Sequence, residues 1–414
     1  MKLEQTVSDA SNAPPMRRRF RLLLSALALA ERVTPEKFLP NLTADALIRW
    51  AKVPVAPGAV EGLRRLTASL AADTELTMFG RLSVHWDFLR LMRNAAKVER
   101  ALAENPTLAA APVTAPIFIL GLPRSGTTFL HGLLAHDPDN LVPRVWQTLY
   151  PEPRRADFHP AGDRRVNIVN RQLNFFGGIA PEFSQLHPVD ADGPQECSEI
   201  TSHIFQSLRF DTTFRVPSYL RWVEATGHHD AFAFHKRFLQ YLQAGVPARW
   251  VLKCPDHTFS LDAIAAVYPD ARFVVVHRDP IAVLGSVAHL TEVLRKPFLS
   301  NIDPVEIGAQ VGTRWIEGAN LLLAFDRRPD IEPERKIHVH YEELIASPLV
   351  VIERIYNQFD LPLRAPAVAA ISEAVFTRPR GGYGNHAPYS LETFKLSQQA
   401  LQTQFAPYVS QYCR

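Results

Sequence analysis

The stretch Ile117–Ala135, IFILGLPRSGTTFLHGLLA, constrains the fold more than any other part of the chain. Ile117, Phe118, Ile119 and Leu120 are consecutive, apolar and β-prone, the pattern of a short strand buried on both faces. A turn rich in small residues follows: Gly121-Leu122-Pro123-Arg124-Ser125-Gly126-Thr127-Thr128. Phe129, Leu130, Leu133 and Leu134 then recur at helical spacing. That predicts a helix starting near Thr127 with its apolar face against the strand. Strand, glycine-bounded loop and helix together aim backbone N–H groups and a positive dipole end at one phosphate.

The spacing resembles a Walker A loop, with Gly121 and Gly126 in place and Thr128 at the Ser/Thr position. Thr127, however, stands where the lysine that reaches a triphosphate belongs, and a nucleoside triphosphatase without it lacks its main charge clamp. The cation sits inside the loop instead, as Arg124, whose planar fork grips a phosphate bidentately. The loop suits a terminal phosphate group that is not a triphosphate. The competing reading is a structural turn with an exposed arginine.

With 414 residues, 47% hydrophobic and 21% charged, the chain has ordinary globular composition and can bury a large core. A formal net charge of +3 demands neither nucleic acid nor an anionic membrane as partner. Cys197, Cys254 and Cys413 are widely spaced and odd in number, which fits a reducing compartment and predicts a cytoplasmic protein. The absence of a C-x-x-C pair argues against structural zinc. Arg17-Arg18-Arg19 followed by the apolar run to Ala30 imitates a signal peptide. Arg21 and Ser25 interrupt that run and it is too short to span a bilayer, so an amphipathic surface helix is the expectation.

Residues 1–16 are polar and Pro-ended and are expected to be disordered. From Arg17 to Asn105 the pattern is helical, with Leu63, Leu66, Leu70, Phe88, Leu89 and Met92 on apolar faces. It reads as a helical cover or a surface for pairing two copies. The Pro- and Ala-rich stretch Pro106–Pro116 marks the boundary before the first strand. Residues 160–245 carry many aromatics (Phe175, Phe176, Phe183, Phe205, Phe210, Phe214, Tyr219, Trp222), which suit either plain core or the wall of an apolar acceptor pocket. Strands are predicted at Trp250–Lys253, Phe273–His277 and Ile337–Tyr341. Helices alternate with them at Phe259–Tyr268, Ile281–Leu294, Val305–Phe325 and Leu349–Phe359. Such alternation argues for a parallel α/β sheet with ligands beyond the carboxyl ends of its strands. Gly121–Thr128, Lys253–His257 and His277–Asp279 would then share one rim.

An arginine at a buried strand's end, such as Arg278, either pairs with Asp279 or binds a ligand anion, because an unpaired buried charge is costly. Ser286 lies further along the next helix and can donate to the same anion. Lys253 and His257 flank the turn after another strand and together supply a phosphate clamp and a proton acceptor. Cys254 has no paired base and reads as packing. Arg378–His386 is a Gly-rich basic loop, either a cationic flap over an anion or a solvated loop.

Taken together, these segments resemble sulfotransferases that use 3′-phosphoadenosine 5′-phosphosulfate (PAPS), most of all the bacterial sulfotransferase-like branch. The family's 5′-phosphosulfate loop matches Leu122-Pro123-Arg124-Ser125-Gly126-Thr127-Thr128, and its 3′-phosphate motif matches Arg278 and Ser286. The branch's W-x-L-K-S-P segment matches Trp250–Pro255, with Cys254 in place of Ser. His340-Tyr341-Glu342-Glu343-Leu344 resembles its tyrosine–acidic strand end. Arg380, Gly381 and Gly384 resemble its C-terminal Gly-rich loop, which by resemblance also contacts the 3′-phosphate. Some relatives carry a glutamate where this chain reads Val145-Trp146-Gln147, and glutamine cannot accept a proton. His257 is therefore the expected base, with Glu196 as the other candidate.

The resemblance implies a P-loop-like parallel α/β sheet flanked by helices, over residues 111–414, preceded by a helical extension over residues 1–110. A helical acceptor-binding insertion is expected at about 160–245. It implies PAPS as co-substrate, bound by Pro123, Arg124, Ser125, Gly126, Thr127, Thr128, Arg278, Ser286, Arg380 and Gly381. No metal, nucleic acid or membrane span is expected. The acceptor would be a small molecule or lipid with an apolar portion, presenting a hydroxyl or amine. A P-loop kinase, or a nucleotide-binding module without sulfuryl transfer, is the alternative.

Overall fold

The computed structural model describes residues 16–35, 38–155, 157–246, 248–377 and 390–413. The Arg378–His386 loop, with Arg380, Gly381 and Gly384, lies outside the described residues, as do residues 1–15. The strands are β1 (Ile117–Gly121), β2 (Asn140–Leu141), β3 (Arg249–Lys253), β4 (Arg272–His277) and β5 (Lys336–His340). They form one parallel sheet in the order β2-β3-β1-β4-β5. The loop-bearing strand β1 thus lies between β3 and β4. Ile119 pairs with Lys253 and Gly121 with Val276, so the carboxyl ends of the three strands stand side by side.

The period of two along each strand sorts residues between two cores. Phe118 and Leu120 of β1, Trp250 and Leu252 of β3, and Phe273 and Val275 of β4 face the larger one. Ile117, Ile119, Val251, Val274 and Val276 face the other, against Leu130 and Leu133 of helix Thr127–Leu134 and the helices after β5. Burial on both faces explains why β1, β3 and β4 read as unbroken apolar runs. At the sheet edge β5 alternates between buried and half-buried residues.

The larger core is continuous with the helices before β1. Leu47, Leu63, Leu66, Phe88 and Met92 belong to the same buried cluster as Phe118, Phe205, Phe238 and Trp250. The central element of this layer is helix Met78–Glu104, capped where the Thr77 hydroxyl accepts the Gly80 N–H at 3.0 Å. Among the described residues, the N-terminal helices and the segment between β2 and β3 therefore form one cover over one face of the sheet. No helix among the described residues is long and apolar enough to cross a membrane.

Candidate active site

The β1 loop turns on three residues with positive φ: Gly121 (146°), Arg124 (65°) and Gly126 (94°). Arg124 is strained there, at a cost of about 1–2 kcal/mol for an L-residue. Its left-handed backbone turns the carbonyl toward β4, where it accepts from Arg278 Nη1 at 2.8 Å, while Arg124 Nη1 donates to the Leu186 carbonyl at 2.7 Å. The two cationic tips are direct neighbours. Gly126 precedes helix Thr127–Leu134 without a side-chain cap. The amides of the first turn are therefore available to an anion. A Cβ on Gly126 would meet the Tyr341 ring at 2.9 Å, so the loop lies flat on that ring. Ser125 is fully buried, and its hydroxyl has no hydrogen-bond partner. Pro123, Arg124, Gly126, Thr127 and Thr128 line the cavity beside the loop, and Ser125 does not.

Arg278, one residue beyond β4, lies over the Tyr341 ring with its guanidinium carbon 3.9 Å from the centroid. Asp279 does not compete for it and instead accepts the Ile281 N–H at 2.9 Å, fixing the start of helix Ile281–Arg295. Arg278 and, one helical stretch on, Ser286 both line the same cavity as the β1 loop. His277 turns away from that rim into a buried network. Its ring pairs with the Tyr408 hydroxyl and with His338, each at 2.8 Å, and burial lowers its pKa to about 2.

Lys253 closes β3 with its side chain almost wholly buried, and its ammonium donates to Thr128 Oγ1 at 3.1 Å and to Glu196 Oε1. The Cys197 N–H donates to the Lys253 carbonyl at 3.2 Å, so the backbone itself holds Glu196 over the β3 tip. The cation missing from the Walker position is thus supplied from the neighbouring strand. Glu196 is a quarter exposed, into the cavity. Burial pushes its carboxyl up, but Lys253 and His187 outweigh that and hold it below its ordinary value. Burial raises the thiol of Cys254 well above its ordinary range, so the group stays protonated and acts as packing.

The structure does not bring His257 to the cavity. The short helix Pro255–Phe259 carries its ring back beneath β1, 5.1 Å from the Phe118 ring and 6.0 Å from that of Phe232. It is 2% exposed, neither nitrogen makes a well-formed hydrogen bond, and burial holds its pKa well below the usual value. Asp256, which sequence reasoning passed over, does line the cavity, and burial raises its carboxyl to about 6 against the pull of Arg314. Gln147 is a helix-end residue, accepting the Arg144 N–H and donating to the Glu152 carbonyl, each at 3.2 Å.

From the polar floor the cavity extends as an open cleft of about 2710 Å³. Its walls include Leu27, Phe79, Phe176, Phe183, Leu290 and Phe298. Phe79 and Phe298 stack at 5.6 Å, and Phe176 meets Phe183 edge-on at 5.2 Å. The aromatic segment divides between the two roles open to it. Phe175, Phe176 and Phe183 face the cleft, Phe210 and Phe214 belong to the larger core and also line it, and Phe205 and Tyr219 are core alone.

A family model described as the sulfotransferase family matches residues 116–365, the whole of the sheet and its strand tips. The chain belongs to the sulfotransferase family. It is similar to the omega-hydroxy-beta-dihydromenaquinone-9 sulfotransferase Stf3 of Mycobacterium bovis and of Mycobacterium tuberculosis. The identity is 26% over 297 residues, covering 68% of this chain and 70% of the relative. Its fold is similar to the sulfotransferase STF9 of Mycobacterium avium, with a TM-score of 0.78 at 28% identity over 90% of this chain and 97% of that one. The sulfotransferase STF1 of M. tuberculosis gives a TM-score of 0.77 at 26% identity, over 88% and 98% of the two chains. Among the described residues, no group of His, Cys, Asp and Glu could hold a metal ion.

Proposed function

We propose that this sulfotransferase moves a sulfuryl group from PAPS to the hydroxyl of an acceptor with a long apolar portion. The observation that carries the reading is Lys253. It joins the phosphate loop, through Thr128, to a cavity-facing carboxylate at the point where a polar floor meets an apolar cleft. In this reading the β1-loop amides and Arg124 hold the 5′-phosphosulfate, and Arg278 and Ser286 hold the 3′-phosphate. The donor's charges suit these groups: an uncapped helix start and two adjacent arginines.

Glu196 takes the proton of the acceptor hydroxyl as its oxygen bonds to sulfur and the bond from sulfur to the 5′-phosphate oxygen breaks. Lys253, released from Glu196, neutralises charge on the leaving phosphate, and adenosine 3′,5′-bisphosphate departs. The transfer is in line and loose, by analogy with phosphoryl transfer, so positioning and charge stabilisation do most of the work. The same exchange of partners makes Glu196 more basic when it is needed. Glu196, rather than His257, is assigned as base because it reaches the cavity. The cleft's aromatic walls, together with a relative named for a hydroxylated menaquinone, favour a lipid alcohol.

Incubation with sulfur-labelled PAPS and a series of primary alcohols of increasing chain length tests this. Each added methylene should raise kcat/KM by about threefold to fourfold until the cleft is filled. Absence of a sulfated product, or magnesium-dependent consumption of ATP in its place, would overturn the reading in favour of a kinase.

A further inference from the structure

We propose that helix Arg18–Val33 and the adjoining rim of the cleft form a docking surface for an anionic lipid bilayer. The helix has two apolar sides. Its inner side is spent on the protein: Phe20 is buried against Phe175, their ring centroids 5.6 Å apart, and Leu27 lines the cleft. Its outer side repeats the pattern without a protein to cover it. Leu22, Leu29 and Val33 fall on one line at helical spacing and are 58%, 63% and 71% exposed.

Exposed arginines flank this line, with Arg18, Arg21 and Arg32 along one border and Arg19 along the other. An apolar strip bordered by arginines on a helix of this length is the composition of an element that lies in a membrane interface. The arginines select the charge of that interface, because each contributes attraction to anionic lipid headgroups. The strip is continuous with the entrance to the cleft. Leu23 on the same helix, with Leu82 and Trp86 on helix Met78–Glu104, lines the cleft while remaining 38%, 44% and 48% exposed. A bilayer seated here would place the apolar walls of the cleft in line with its own hydrocarbon, and a membrane-resident alcohol could enter without crossing water. That purpose rests on the lipid-acceptor reading. The docking itself does not.

The test is co-sedimentation of the full chain, without donor or acceptor, with phosphatidylcholine vesicles that contain or lack phosphatidylglycerol. Binding is expected only with phosphatidylglycerol and should weaken as salt rises. Arg18→Glu/Arg21→Glu should reduce it by on the order of tenfold or more. Leu22→Glu/Leu29→Glu should abolish it while leaving turnover of a short, water-soluble alcohol unchanged, because neither leucine touches the phosphate loop. Equal binding to neutral vesicles, no binding to either kind, or full binding by the leucine variant would overturn the proposal. So would a dimer in light scattering that the leucine variant breaks while vesicles remain unbound, because the strip would then cover a second copy. Failure of alcohol sulfation with vesicle binding intact would count against the lipid-acceptor reading and not against docking.

Discussion

Replacing Glu196 by glutamine removes the proposed proton acceptor while keeping an oxygen that can accept from the Lys253 ammonium. The fold should survive, because the backbone bond from Cys197 to Lys253 stays in place. Loss of a positioned general base costs about 10²- to 10⁴-fold in turnover, a barrier increase of about 2.7–5.4 kcal/mol. Donor affinity, read by calorimetry with adenosine 3′,5′-bisphosphate, should not fall. The pH profile adds an independent check. Burial pushes the Glu196 carboxyl up, and Lys253 and His187 more than reverse this, so in the free enzyme it loses its charge only below the ordinary carboxylate range. Once Lys253 turns to the donor, that opposition is shared and burial weighs more. The acid limb of kcat should therefore lie at higher pH than that of kcat/KM. Asp256, raised by burial to about 6, can add a limb of its own, which Asp256→Asn would remove. Single-turnover rates of Glu196→Gln equal to those of the natural protein would refute the assignment, as would an acid limb unmoved between kcat and kcat/KM.

Three further outcomes follow from the packing. His257→Phe should leave turnover intact and melting temperature unchanged or higher, because the ring lies between Phe118 and Phe232. A hundredfold loss, on the order expected of a base, would restore His257 to the mechanism. Gly126→Ala should weaken bisphosphate binding by roughly tenfold, because φ is 94° and the added carbon meets the Tyr341 ring at 2.9 Å; calorimetry reads this directly. Arg209 bonds Asp87 at 2.6 Å and Glu199 at 3.0 Å, so Arg209→Met takes from Glu199 the cation it pairs with, while Asp87 keeps Arg90. That should destabilise the chain by about 3–5 kcal/mol in denaturant unfolding.

The β1 loop was legible because its evidence is local: an apolar run, two glycines at fixed spacing and a helical period, all within Ile117–Ala135. The meeting of Arg278 and Lys253 with that loop was legible for a different reason. Parallel strands carry ligands at their carboxyl ends, so three strand tips imply one rim before any contact is known. What the sequence withheld is mostly long-range or rotational. Glu196 meets Lys253 across the segment between β2 and β3, and backbone bonds from Cys197 to Lys253 and from Gln195 to Pro143 fix that approach. His257 sits close to Lys253 in sequence, yet a short 3-10 helix turns its ring under the sheet while Asp256 keeps the cavity side. Periodicity cannot resolve such a turn, because one residue of rotation reverses which neighbour faces the ligand. The aromatic segment was ambiguous for the same reason, since core and cleft wall use identical side chains.

The central claim is that the β1 loop and Arg278 grip one nucleotide by phosphates at both ends of its ribose. Calorimetry comparing adenosine 3′,5′-bisphosphate with adenosine 5′-monophosphate, on the natural protein and on Arg278→Ala, tests it most directly. The account predicts that the bisphosphate binds roughly 10- to 100-fold more tightly and that Arg278→Ala erases this preference without weakening the monophosphate. Equal affinity of the natural protein for the two nucleotides, or a preference that survives the substitution, would contradict it.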